Sequence, residues 1–278
     1  MPKHIRPRRS MLYVPGDKPR ALEKARSLPV DGVILDLEDA VAPEAKPAAR
    51  AAIAAALAGD WGRRERILRL SSATCDADYA LAESLDLDGI LLPKVEDPDV
   101  VRAAAARSRH PLWCMIETPL GILRAADIAA ASDRLAGFVA GTNDLTKDLR
   151  ARHVPDRAPL LTALSLLLLA ARAHGLAALD GVHLALDDLA GFEASCRQGV
   201  ELGFDGKTLV HPSTIEAANR IFAPAAAEVA RARAIVAAWA DARAAGKGVA
   251  RIEGAMVEQL HVDEAERVIA LAEAIGAG

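Results

Sequence analysis

Eight short apolar runs, near residues 11–15, 32–37, 66–70, 89–93, 112–117, 135–141, 177–184 and 206–210, alternate along this chain with alanine-rich stretches of helical pattern. The helical stretches lie near 18–27, 44–58, 76–85, 97–108, 121–131, 158–174, 187–202 and 213–221, and several open on Asp, Ser or Pro, as helix N-termini do. Strands covered by helices are buried on both faces, and they carry continuous hydrophobic sequence rather than alternation. Eight strand–helix units within about 220 residues predict a closed (β/α)8 barrel. An open doubly wound sheet has no support, because no G-x-G-x-x-G turn follows the first strand.

The pattern changes after Phe222-Ala223-Pro224, where a long Ala/Arg helix near 225–244 leads through a Gly-Lys-Gly hinge to a segment ending in another helix. The expected organisation is therefore a catalytic barrel over 1–224 and a helical extension over 225–278 that covers the barrel or contacts a neighbouring subunit. A net charge of −4 gives a nucleic-acid or acidic-membrane partner no global electrostatic support. The apolar run Leu160–Ala173 is too short to span a bilayer and is flanked by arginines, so it reads as a buried helix. The basic start, Lys3 to Arg9, reads as a short arm, because a strand begins by Met11. Three separated cysteines argue against a disulfide framework and fit a cytoplasmic protein.

Loops leaving the C-terminal ends of barrel strands converge on one rim, and that rim is the place to look for chemistry. Its expected occupants are Gly16 and Asp17, then Asp36, Glu38 and Asp39, then Arg69, Lys94 and Glu96, and finally Glu117, Asp144 and His211. Glu117 and Asp144 close successive apolar runs, and two carboxylates with retained waters and substrate oxygens suit Mg2+. The alternatives are a helix-capping role for Glu117 and a solvated loop position for Asp144. Asp36, Glu38 and Asp39 are expected to support a ligand or Arg69, since buried charges need partners, the alternative being a second metal cluster in which one of them is a direct ligand. His211 reads as a turn residue, and His183, placed inside the seventh strand, reads as a satisfied core or rim histidine. Arg20 and Lys24, on the first helix, are solvent-exposed by default and could meet a phosphate-bearing ligand.

Five ordered motifs resemble the citrate lyase beta subunit and malyl-CoA lyase group of the HpcH/HpaI aldolase–citrate lyase superfamily. They are Arg9-Ser-Met-Leu-Tyr-Val-Pro-Gly16, Val33-Ile-Leu-Asp-Leu-Glu-Asp-Ala-Val41, Leu91-Leu-Pro-Lys-Val-Glu96, Ile116-Glu-Thr-Pro-Leu-Gly121 and Gly203-Phe-Asp-Gly-Lys-Thr-Leu-Val-His-Pro212. The resemblance implies a (β/α)8 barrel, a Mg2+ site made by Glu117 and Asp144, and carbon–carbon cleavage of a 3-hydroxy-acyl thioester (citryl, malyl or citramalyl) to a keto acid and an acetyl thioester. It implies contact of Arg69 with the substrate carboxylate or thioester oxygen. Gly16, Arg20, Lys24, Lys94 and Glu38 then contribute to substrate binding, the first three beside the CoA or carrier arm. It also implies trimers or larger assemblies, with other citrate lyase subunits as candidate partners. Glu258 matches an acid that relatives supply to a neighbouring subunit for proton transfer, although this chain has Gly-Ala-Met-Val-Glu at 254–258 where the family has Gly-Lys-Met-Val-Asp. Two competing readings remain, a CoA-independent hydroxy-keto-acid aldolase and a non-catalytic acyl-thioester binding protein.

Overall fold

A computed structural model describes residues 5–252 and 254–276, which divide into two compact units. The first, Arg8–Phe222, is a closed barrel of parallel strands in chain order. The strands are β1 (Ser10–Pro15), β2 (Gly32–Asp36), β3 (Glu65–Arg69), β4 (Gly89–Leu92), β5 (Leu112–Ile116), β6 (Leu135–Ala140), β7 (Ala177–Asp180) and β8 (Gly206–Leu209). Pairing of β1 with β8 closes the ring.

Alternation along each strand sorts the core into two layers. One set of side chains faces the surrounding helices and forms the larger cluster, including Val33, Leu35, Leu68, Ile90, Cys114 and Phe138. The other fills the barrel interior, with Met11, Ile34, Ile67, Leu91, Trp113, Met115, Val139 and Leu179 drawn from β1 to β7. From β8 the buried Lys207 pairs with Asp180 at 2.7 Å, so the charge is met inside the fold. Trp113 is the largest fully buried side chain, and Gly137 makes room for it: a Cβ there would lie 2.4 Å from the indole Cζ3.

The same period of two sets the site. Two residues beyond the interior layer, toward the C-terminal end of each strand, come Tyr13, Asp36, Arg69, Glu117 and Gly141.

Local departures from the expected elements matter near that end. The predicted single helix over 121–131 is two short helices, Pro119–Leu123 and Ala125–Ala129, joined at Arg124. A helix absent from the sequence reading, Thr142–Asp148, starts directly after β6, so Asp144 sits in a helix first turn rather than a loop. β7 stops at Asp180, which puts His183 beyond the strand.

The second unit takes in Ala223 onward together with the N-terminal stretch ending at Pro7. It holds helices Ala226–Ala244 and Gln259–Gly276 and a small antiparallel hairpin, β9 (Ala250–Ile252) and β10 (Ala255–Val257). Gly254 turns the hairpin at φ +85°, a conformation that a side chain would strain. Ala242, Ala250, Val257 and Val262 form its buried centre. Among the described residues no helix is long and apolar enough to cross a membrane.

Replacing Trp113 by Ala would leave a cavity in the barrel interior, and the expected cost is roughly 3–5 kcal/mol. Urea unfolding should show a lower midpoint at unchanged slope; an unchanged midpoint would contradict the interior packing described above.

Candidate active site at the C-terminal rim of the barrel

Arg69 ends β3 with its guanidinium inside the rim. Nε and Nη2 donate to the two oxygens of Asp36 at 2.7 and 2.5 Å, a bidentate pair between residues that are register partners on β2 and β3. Glu38 Oε2 lies 2.7 Å from Nη1, but out of line with the N–H, so this contact is ionic without being a well-directed hydrogen bond. The Tyr13 ring lies 4.9 Å from the guanidinium carbon. Burial alone would make Arg69 less basic, but the hydrogen bonds to Asp36, with Tyr13 and Glu38 adding, hold it more basic than an ordinary arginine. A guanidinium carries five N–H donors, and these contacts leave some of them for a further oxygen.

Glu117 follows β5 and is buried. Its Oε1 accepts the backbone N–H of Lys94 at 2.8 Å, and Lys94 is left-handed at φ +51°, which aims that N–H inward. Gly141 is required opposite: a Cβ there would lie 2.2 Å from Glu117 Cβ and 2.7 Å from Oε2. Neither Glu117 Oε2 nor the Asp144 carboxylate has a hydrogen-bond or ionic partner among the described residues. Burial first, then the charges of Glu38 and Asp144, push the Glu117 carboxyl up to about 8, against the pull of the Lys94 N–H and Arg69. Burial also raises Glu38, opposed by Arg69 and Lys94. The rim therefore holds more carboxylate than its cations balance.

That donor set fits a hard divalent cation. Among the described residues no three His, Cys, Asp or Glu side chains converge as an all-protein cage, and Mg2+ does not ask for one. Glu117 and Asp144 are the two residues that could hold it.

The remaining expected site residues take different places. Lys94 joins the cluster, with Nζ 3.3 Å from Glu38 Oε1 and 4.0 Å from Asp39 Oδ1. Gly16 is buried and donates its N–H to Asp36 O at 2.9 Å, where a Cβ would clash at the same distance, so it acts by allowing close approach. Arg20 and Lys24 are exposed one turn apart on the helix Pro19–Ala25, without ionic partners among the described residues. Glu258 belongs to the second unit, just before the helix Gln259–Gly276, where its N–H donates to His261 Nδ1 at 3.0 Å. His211 is a turn residue whose Nδ1 accepts the Ser213 N–H at 3.2 Å.

One expectation fails. His183 is not a satisfied histidine: its Nε2 is buried without a hydrogen-bond partner among the described residues, because β7 ends three residues earlier and leaves it on a loop. The sequence reading also missed a buried network in which Asp180 accepts from Lys207 Nζ and Arg157 Nη1, each at 2.7 Å. A polar residue in each of two successive short strands was the available signal.

The family model for HpcH/HpaI aldolase/citrate lyase matches residues 9–212. The chain is 48% identical to a (3S)-malyl-CoA thioesterase of Cereibacter sphaeroides, over 100% of this chain and 99% of that one. It is 35% identical to the citrate lyase subunit beta of Escherichia coli, over 99% and 96% of the two chains. Its fold is similar to a crystal structure of the protein CitE from Mycobacterium tuberculosis in complex with magnesium, acetoacetate and coenzyme A. That likeness has a TM-score of 0.79 at 32% identity and covers 95% of this chain and 97% of that one.

A carboxyl raised from 4.5 to about 8 on folding favours the metal-free fold fully below 4.5 and loses that contribution as pH climbs through 8. The melting temperature of the metal-free protein should therefore fall across this window more steeply than that of Glu117→Gln. Calorimetry in buffers of different ionisation enthalpy should show a proton released when a divalent cation binds at pH 7, and no proton release in Glu117→Gln. Parallel melting curves and proton-neutral binding would contradict the assignment.

Proposed function

Because the chain belongs to the HpcH/HpaI aldolase/citrate lyase family, we propose that it is a Mg2+-dependent enzyme that cleaves a 3-hydroxy-acyl-CoA of the malyl type into a keto acid and an acetyl thioester. The observation that carries this reading is the meeting, on one rim, of two carboxylates open to a cation and an arginine anchored at two points with N–H groups to spare. Support comes from the similar CitE structure, which holds magnesium, acetoacetate and coenzyme A. Glu117 and Asp144 would hold Mg2+, which supplies Lewis-acid polarisation of the substrate hydroxyl and its neighbouring carboxylate.

The chain's own residues divide the remaining work. Arg69 presents its spare N–H groups to the thioester oxygen, where negative charge develops as the carbon–carbon bond breaks. It cannot accept the hydroxyl proton, because arginine does not deprotonate. That role is assigned to Glu258, on the resemblance of Gly254–Glu258 to the family's C-terminal element. Asp36 and Glu38 fix the Arg69 fork from behind, and Lys94 offsets Glu38. Arg20 and Lys24 offer paired positive charge to the phosphates of the CoA arm. Three unpaired cysteines, Cys75, Cys114 and Cys196, fit a cytoplasmic setting, and the family resemblance supports a homo-oligomer.

A second reading is hydrolysis of the same thioester to a hydroxy acid and free CoA. It is favoured by the 48% identity to a malyl-CoA thioesterase against 35% to a citrate lyase subunit. The fates separate cleanly in one assay, because cleavage yields a keto acid and no free thiol whereas hydrolysis yields free thiol and no keto acid.

With malyl-CoA and Mg2+, glyoxylate and acetyl-CoA should accumulate, and Glu117→Ala or Asp144→Ala should abolish turnover. Undiminished turnover in both variants would sink the site. Arg69→Lys should lower kcat by about 100- to 1000-fold, since a point charge cannot engage Asp36, Glu38 and the substrate together.

A further inference from the structure

The first turn of the helix that carries Asp144 also walls a second space. A cavity of about 380 Å³ lies between that turn, the loop over 152–160 and the loop leaving β7, with Asn143, Arg152, His153, His183, Asp188 and Ser195 among its lining. This volume lies within the range of small-ligand sites. The exits of β6 and β7 touch here: a Cβ on Gly181 would lie 2.4 Å from Thr142 Oγ1. The chain runs from that contact through Val182 to His183. The cavity thus adjoins the helix turn of a candidate metal ligand.

Neither ring nitrogen of His183 makes a hydrogen bond among the described residues. Nε2 is buried and lies 4.0 Å from Asp188 Oδ2. Nδ1 is not among the buried unpartnered atoms, and the side chain, 22% exposed, is part of the cavity lining. Its ring meets Phe192 edge-on at 6.0 Å, which holds its plane. Asp188 is fixed as well, because its Oδ1 accepts the Gly191 N–H at 2.9 Å as the N-cap of the helix Leu189–Leu202. A closure of about 1 Å would make Nε2–H donate to Asp188 Oδ2 and leave the Nδ1 lone pair open, since an imidazole bonded at one nitrogen has its tautomer set by that bond.

We propose that His183, oriented by Asp188, is the base that activates water for thioester hydrolysis in the cavity beside the metal-binding rim. Nδ1 takes a proton from water as the oxygen bonds to the thioester carbonyl carbon. The carbon–sulfur bond then breaks, and the imidazolium returns the proton to the leaving thiolate, so water and thioester become acid and thiol with no other reactant. The buried acids of the rim have other work: Asp36 and Glu38 hold Arg69, and Glu117 is given with Asp144 to the cation.

The charged groups around the ring suit a neutral base. Burial first, then Lys207 and Arg157, lower the imidazole below 6.5, and Asp188 opposes them. Lys207 and Arg157 are themselves tied to Asp180. These influences together favour the neutral ring.

This inference rests on the hydrolytic reading, with hydrolysis running alongside carbon–carbon cleavage of the same thioester, and the test separates the two. The intact protein with Mg2+ and malyl-CoA is assayed for free thiol, malate and glyoxylate between pH 5 and 8. For His183→Gln, free-thiol release should fall by about 100-fold or more, the ordinary contribution of a general base, and the ratio of malate to glyoxylate should fall with it. Its acid limb should vanish while melting temperature and Mg2+ affinity stay at wild-type values. Asp188→Asn keeps a competent helix cap and removes the opposing charge, so its acid limb should move to lower pH with a smaller loss of rate. Wild-type thiol release and pH profile in both variants would overturn the role of His183 and leave hydrolysis standing. If the wild-type protein makes glyoxylate and no free thiol, the hydrolytic reading fails and this proposal fails with it.

Discussion

Asp36, Glu38 and Glu117 are held within the buried rim of a parallel barrel, where a carboxylate without a partner is costly. Arg69 meets the first two, through the Asp36 fork and the contact to Glu38. Glu117 gets a single backbone N–H, from a lysine held left-handed to supply it, and stands beside Asp144, which has no partner among the described residues. The imbalance has a definite place. It lies between β5 and the helix after β6, where Gly141 lets the two elements approach. A protein that wanted only a stable barrel could replace these acids by apolar residues with little loss, so the surplus charge points to a cation and to chemistry.

Arg69 and the carboxylates are best understood as one device. The Asp36 pair fixes the guanidinium plane, Tyr13 covers a face of it, and the spare N–H groups keep a single direction. Such a group stabilises developing charge without reorganising, which is the main source of electrostatic catalysis. Cleavage and hydrolysis both place negative charge on the thioester oxygen. What separates them is the proton acceptor, and the two candidates, Glu258 and His183, lie on different units of the chain.

The barrel was legible in the sequence because its strands are buried on both sides and so write themselves as unbroken apolar runs. Arg69, Glu117 and Lys94 were legible because strand C-termini project onto one rim. The helix at Thr142–Asp148 was not, since Thr-Asn-Asp after a strand reads equally as a turn; in the structure the helix start packs close to Glu117 and Gly181. The status of His183 was hidden for a related reason. Whether an imidazole is satisfied depends on where β7 ends and on Asp188 across the loop, and the apolar pattern overran the strand by four residues, 181–184 against an observed end at Asp180. The interior pairing of Lys207 with Asp180 was concealed because a lysine in a short strand ordinarily signals an exposed face.

Catalysis at this rim requires that Glu117 and Asp144 jointly hold the cation. A crystal structure of the protein grown with Mn2+ as an anomalous marker and a keto acid tests this directly. The expected result is one anomalous peak bonded to both carboxylates, with the keto acid bridging from the metal toward Arg69. A peak at any other group of side chains, or a keto acid bound at Arg69 with no metal between the two carboxylates, would contradict it.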